Sequence, residues 1–147
     1  MATNTLRAEA SPERVWAVLA DPARYPDWVV GAERIRRVEG DWPHPGAKLH
    51  HQLRLGPFRL RDNTEVTSCE PGRCLGLLAR GRPFGTARIE LRLSADGDGT
   101  LISMTERARP WGVPLPPGWL LDGPIWLRNV VSLRRLADAA APPAGVS

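Results

Sequence analysis

Ser11-Pro12-Glu13-Arg14-Val15-Trp16-Ala17-Val18-Leu19-Ala20 runs directly into Asp21-Pro22-Ala23-Arg24-Tyr25-Pro26-Asp27-Trp28. Two helix starts stand almost back to back. Ser11 and Asp21 carry side-chain oxygens that cap a helix N-terminus, and each precedes a proline at the first helical position, where an N–H is not needed. The first helix is expected to bury Val15, Trp16, Val18 and Leu19. The second is expected to be cut short by Pro26 and to deliver Trp28. Upstream, Thr3 to Glu9 reads as a short polar strand; downstream, strands follow until one amphipathic helix closes the chain. This order predicts a curved sheet that grips a helix over a cavity.

Strands are expected at Ala32 to Glu39, Ala47 to Leu55, Phe58 to Ser68, Arg73 to Arg80, Gly85 to Ser94 and Thr100 to Arg107. Turn signals at Gly56-Pro57, Pro71-Gly72, Arg82-Pro83 and Asp96-Gly97-Asp98-Gly99 separate them and predict an antiparallel meander. Leu49, His51, Leu53 and Leu55 alternate with Lys48, His50, Gln52 and Arg54. Phe58, Leu60, Asp62, Thr64 and Val66 alternate with Arg59, Arg61, Asn63 and Glu65, so one face is dry and the other wet.

Turn positions propose the register. A hairpin centred on Gly56-Pro57 sets Lys48 against Glu65 on the wet face and His51 against Asp62 on the dry face. A turn at Pro71-Gly72 sets Cys69 opposite Cys74, Thr64 beside Ala79 and Asp62 beside Gly81. A loop at Arg82-Pro83-Phe84 then sets Ala79 beside Ala87 and Gly81 beside Gly85. These small side chains are expected to leave a cavity rimmed by His51, Asp62 and Thr64, to let the sheet bend, or to do both. The closing helix, about Asp122 to Ala140, carries a packing stripe of Trp126, Val130, Leu133 and Ala137, with Arg128 and Arg135 on the far side. The segment Pro110 to Trp119 is apolar but too proline-rich for regular structure.

The chain has 147 residues, of which 42% are hydrophobic, enough for one domain with a sizeable core. The expected domain spans 1–140, followed by a disordered tail at 141–147. Net charge is +4, and nineteen of the twenty cations are arginine. They are spread over the polar strand faces among Glu65 and Glu90, which argues against nucleic-acid binding. No apolar run reaches membrane-spanning length, so no stable membrane insertion is expected. Met1 to Thr5 lack a basic start followed by an apolar block, which places the protein in the cytoplasm. Cys69 and Cys74 are then expected to be free thiols. His50 and His51 point to opposite faces, and no cysteine–histidine set has zinc spacing, so neither a metal nor another cofactor is expected. Oligomeric state is left open.

The pattern Ser11-Pro12-Glu13-Arg14-Val15-Trp16 with Asp21-Pro22 through Tyr25-Pro26-Asp27-Trp28 resembles the START-like SRPBCC superfamily, in its polyketide cyclase/dehydrase and lipid-transport branch. Asp98-Gly99-Thr100, Arg128-Asn129 and Leu133-Arg134-Arg135-Leu136 are similar too. The resemblance covers about residues 3–140 and implies an α+β helix-grip fold. In that fold a seven-stranded antiparallel sheet wraps a long C-terminal helix, with two short helices after the first strand. Members bind hydrophobic or amphipathic small molecules between sheet and helix.

Two functions follow. One is an intracellular carrier or sensor of a lipid, quinone or polyketide-like molecule, with Trp28, Leu53, Leu60, Ile89, Leu91, Met104 and Trp126 lining the cavity and Thr64 at its rim. The other is a polyketide aromatase/cyclase or dehydratase with His51 as acid/base and Asp62 orienting its ring, Glu106 being a second candidate. A His–Asp pair that only fixes strand register, and a core filled by the six tryptophans, are the readings that oppose them.

Overall fold

Apart from the first two, strands adjacent in sequence are adjacent in space. In a computed structural model, residues 2–55, 58–81, 85–110 and 118–141 are described, with the side chains of 2, 53, 55, 58, 81, 110 and 118–127 left aside. Strands β1 (Ala2–Ala8), β2 (Ala32–Glu39), β3 (Lys48–Leu55), β4 (Phe58–Glu70), β5 (Cys74–Gly81), β6 (Gly85–Asp96) and β7 (Gly99–Pro110) form one antiparallel sheet. Its order is β1-β7-β6-β5-β4-β3-β2: a meander onto whose last strand the first folds back. Helices α1 (Pro12–Ala20), α2 (Tyr25–Trp28) and α3 (Gly118–Ala140) complete the helix-grip architecture. Helix α3 packs on β1, α1, α2 and the flank of β7.

The opening helices form through the caps written in the sequence. Ser11 Oγ accepts from the Arg14 N–H at 3.3 Å, and Asp21 Oδ1 accepts from the Ala23 N–H at 3.0 Å. The second cap serves a short 3-10 turn, Pro22–Arg24, which leads into α2. Pro26 therefore does not cut a helix short. It stands in the first turn of α2, where its missing N–H has no partner to lose. Val15, Val18 and Leu19 of α1 are buried, while Trp16 is only partly so.

The β1–α1 connection is seated by two residues of β7. Thr100 Oγ1 donates to the Ala10 carbonyl at 2.7 Å. A Cβ on Gly99 would lie 2.5 Å from the Ala8 carbonyl oxygen, so only glycine allows β1 to approach this closely. Gly97, with φ of +60°, makes the two-residue turn from Asp96 to Gly99.

The expected β3–β4 register is observed, with Lys48 opposite Glu65 and His51 opposite Asp62. Glu65 nevertheless takes its charge partner from Arg80, at 3.0 Å. Between β4 and β5, Thr64 pairs with Ala79 as expected, but the register shifts by one between Val66 and Ser68. The cause is the turn, in which Glu70 pairs with Cys74 across Pro71-Gly72-Arg73. The bulge absorbs the extra residue, and Gly76, opposite Ser68, leaves room for it. Cys69 consequently faces Leu75 and not Cys74. Both cysteines are free.

Helix α3 starts at Gly118, earlier than Asp122, and takes in the end of the proline-rich stretch. Its buried face is Asn129, Ser132, Leu133, Leu136, Ala137 and Ala140, with Val130 only partly covered. The stripe is rotated from the expected one because Asn129 and Ser132, although polar, find partners inside. The Trp126 side chain is not among those described, and the expected turns at Gly56-Pro57 and Arg82-Pro83-Phe84, residues 111–117 of the Pro110 to Trp119 stretch and residues 142–147 of the expected tail lie outside the described residues. Among the described residues, no helix is long and apolar enough to cross a membrane.

Candidate functional site

Three rows of inward side chains cross the concave face, and their burial differs. The first, Leu75–Leu91–Met104–Asn4, is at most 7% exposed throughout. The second runs Val66–Leu77–Ile89–Glu106, with only Ile89 partly exposed. The third runs Leu49–Thr64–Ala79–Ala87–Ala108. Along it burial falls steadily: Leu49 and Thr64 are fully buried, Ala79 and Ala87 partly, and Ala108 is exposed. Leu60, also inward, is partly exposed. The concave face is thus tightly packed at one end and open toward small side chains at the other.

Where the packed and open regions meet, the sheet carries a buried polar chain. Thr64 Oγ1 lies 3.0 Å from Tyr25 Oη and 2.8 Å from His51 Nε2. The Tyr25 and His51 rings are stacked, 5.7 Å between centroids and 4° from parallel. Trp28 and Trp42 meet Tyr25 edge-on, and Trp42 Nε1 donates to the Leu19 carbonyl at 3.1 Å. Tyr25 is delivered by α2, so the proline-spaced opening segment builds one wall of the site. Thr64 has one proton, so it donates to one partner and accepts from the other. The chain is therefore consistent in two polarities, one with His51 protonated at Nδ1 and one at Nε2.

His51 and Asp62 stand opposite each other, both buried, at 0% and 3% exposure. The His51 ring bonds to Thr64 rather than to Asp62, and Nδ1 has no hydrogen-bond partner among the described residues. Asp62 accepts from the Asn63 N–H at 2.9 Å and acts on His51 through its charge. Burial outweighs that charge and holds the His51 pKa down at about 4, so the imidazole is neutral at pH 7. Burial likewise raises the Tyr25 pKa and keeps the phenol protonated.

Glu106 lies 2% exposed at the end of the second row. Arg128 Nη2 of α3 donates to Oε1, and Asn129 Nδ2 donates to Oε2 at 2.9 Å. Arg128 thus faces the site and not the far side of the helix, because the buried carboxylate needs a cation. Asn129 and Tyr25 also lie outside what the hydrophobic pattern could indicate. Their signals were weak: Asn129 stands four residues before Leu133 on one helical face, and Tyr25 directly precedes the proline of α2.

Of the other expected lining residues, Trp28, Leu91 and Met104 are packed within the core, and Leu60 and Ile89 border the open region. The side chains of Leu53 and Trp126 lie outside those described. Among the described residues, no three His, Cys, Asp or Glu side chains gather as a metal site.

The seven-stranded sheet, the helix packed against it and the half-open concave face define the helix-grip class of fold. The chain belongs to the polyketide cyclase/dehydrase and lipid-transport family, whose model matches residues 2–141. Its fold is similar to that of the Zhui aromatase/cyclase from Streptomyces sp. R1128, with a TM-score of 0.81, 17% identity, and 99% and 98% of the two chains covered. It is also similar to CV1439 from Chromobacterium violaceum, with a TM-score of 0.70, 19% identity, and 97% and 99% covered. CalU16 from Micromonospora echinospora matches with a TM-score of 0.61, 22% identity, and 95% and 75% covered. No curated protein matches the chain.

Proposed function

We propose that residues 1–140 act as one domain that binds a hydrophobic or amphipathic small molecule, lipid, quinone or polyketide-like, between the open part of the concave face and α3. Its role is that of an intracellular carrier or sensor. The observation that carries this reading is the burial gradient along Thr64–Ala79–Ala87–Ala108, beside partly exposed Ile89 and Leu60. Inward apolar side chains that stay accessible are what an apolar ligand would cover. The small side chains of Ala79 and Ala87 supply the space.

An aromatase/cyclase or dehydratase is the second reading, favoured by the Tyr25–Thr64–His51 chain beside Asp62. A neutral imidazole coupled through a hydroxyl to a phenol has the parts of a proton shuttle. His51 is fully buried, however, and a shuttle must reach its substrate, so binding without chemistry is the better-supported of the two.

Titration with the uncharged fluorescent probe N-phenyl-1-naphthylamine tests the binding reading. The wild-type chain is expected to bind it in the micromolar range. Ala87→Phe should weaken binding about tenfold or more by filling the space, while changing the urea midpoint little. Equal affinity in both proteins would remove Ala87 from the site, and absence of binding in the wild type would defeat the reading.

A further inference from the structure

We propose that Glu106, Arg128 and Asn129 form a net-neutral head-group anchor that selects ligands bearing an uncharged oxygen acceptor, such as a ketone or quinone carbonyl, over both hydrocarbons and carboxylates. This rests on the binding reading above and adds to it the chemistry of the ligand's polar end. Glu106 is buried, and both its oxygens are taken, one by Arg128 and one by Asn129. Its role is to hold the guanidinium in place. Arg128 is different: its side chain is 39% exposed, and only Nη2 is committed. A guanidinium has five N–H donors in a fixed fork. Those on Nε and Nη1 have no partner among the described residues.

The position suits a head group. Glu106 stands directly opposite Ile89, one row from Ala87–Ala108, where the concave face opens. A ligand tail lying on these residues would bring its polar end to Arg128.

Charge decides which polar end. The Glu106 carboxylate and the Arg128 guanidinium cancel. Of the other groups facing this interior, Tyr25 and His51 are uncharged at pH 7, and Asp62 is acidic. A carboxylate ligand would place a further negative charge beside Glu106 and compete with it for Arg128. A hydrocarbon would cover the spare N–H groups and give them no acceptor. A carbonyl oxygen accepts from them and adds no charge.

Three naphthalenes of similar size test this in the full chain by calorimetric titration: 1-acetonaphthone, 1-ethylnaphthalene and 1-naphthoate. The ketone is expected to bind about tenfold or more tightly than either of the others, the range for a hydrogen bond to a charged donor. In Glu106→Gln the naphthoate should draw level with the ketone, since the competing negative charge is gone. Arg128→Gln alone strands a buried carboxylate, so the double variant Arg128→Gln/Glu106→Gln is the control that keeps the fold. There the ketone's advantage over ethylnaphthalene should shrink to within about threefold. If ethylnaphthalene and the ketone bind the wild type equally, or if the ranking survives in the double variant, the anchor is overturned while the binding reading stands. If none of the three binds, both fall.

Discussion

At the residue scale, the fully buried, uncharged His51 has a consequence for stability. Its pKa is about 4 in the folded chain and near 6.5 in the unfolded one. Between those values the unfolded chain binds a proton that the folded chain refuses. Stability from this group is therefore complete above about pH 6.5 and is lost as the pH falls toward 4, on the order of 3 kcal/mol in all. Urea unfolding at pH 7.5 and 4.5 should show the loss, and His51→Asn should show a correspondingly shallower pH dependence. A ring that titrates near pH 6.5 by NMR would contradict this. The juxtaposition of His51 with Asp62 was legible because a hairpin turn and strict alternation fix register. That the ring bonds to Thr64 and stacks on Tyr25 was not legible, since both depend on where α2 lands over the sheet. Arg128 was misplaced for a related reason: hydrophobic periodicity marks no helix position that faces inward to meet a buried acid.

At the element scale, the docking of β1 on β7 depends on Gly99. Replacing glycine by alanine in an unstrained position usually stabilises by about 0.4–1 kcal/mol, by reducing the freedom of the unfolded chain. Here the new Cβ would meet the Ala8 carbonyl oxygen at 2.5 Å, backbone that cannot rotate away. Gly99→Ala should thus lower stability by about 1–3 kcal/mol. The sign alone discriminates in a urea titration, because a neutral or stabilised variant would mean that β1 is not held against this turn. Element order and most strand limits could be read from turn residues spaced along the chain. The exceptions have local physical causes. The Val66–Ser68 bulge absorbs a residue that the Pro71-Gly72-Arg73 turn adds, so the register expected from that turn holds at Thr64–Ala79 and fails at Cys69. Pro26 stands in the first turn of α2, after a 3-10 turn that takes the Asp21 cap.

At the scale of the whole molecule, the sheet is packed at one end and open at the other, and the open end is where an apolar ligand is proposed to bind. Side-chain methyl NMR with N-phenyl-1-naphthylamine tests it most directly, because methyl groups report from both regions. Saturating probe should shift the methyls of Ile89, Leu60, Ala79 and Ala87, and leave those of the packed Leu75, Leu91 and Ile102 in place. Shifts confined to the exposed surface methyls of Val38 and Leu101, or no shifts at all, would contradict the account.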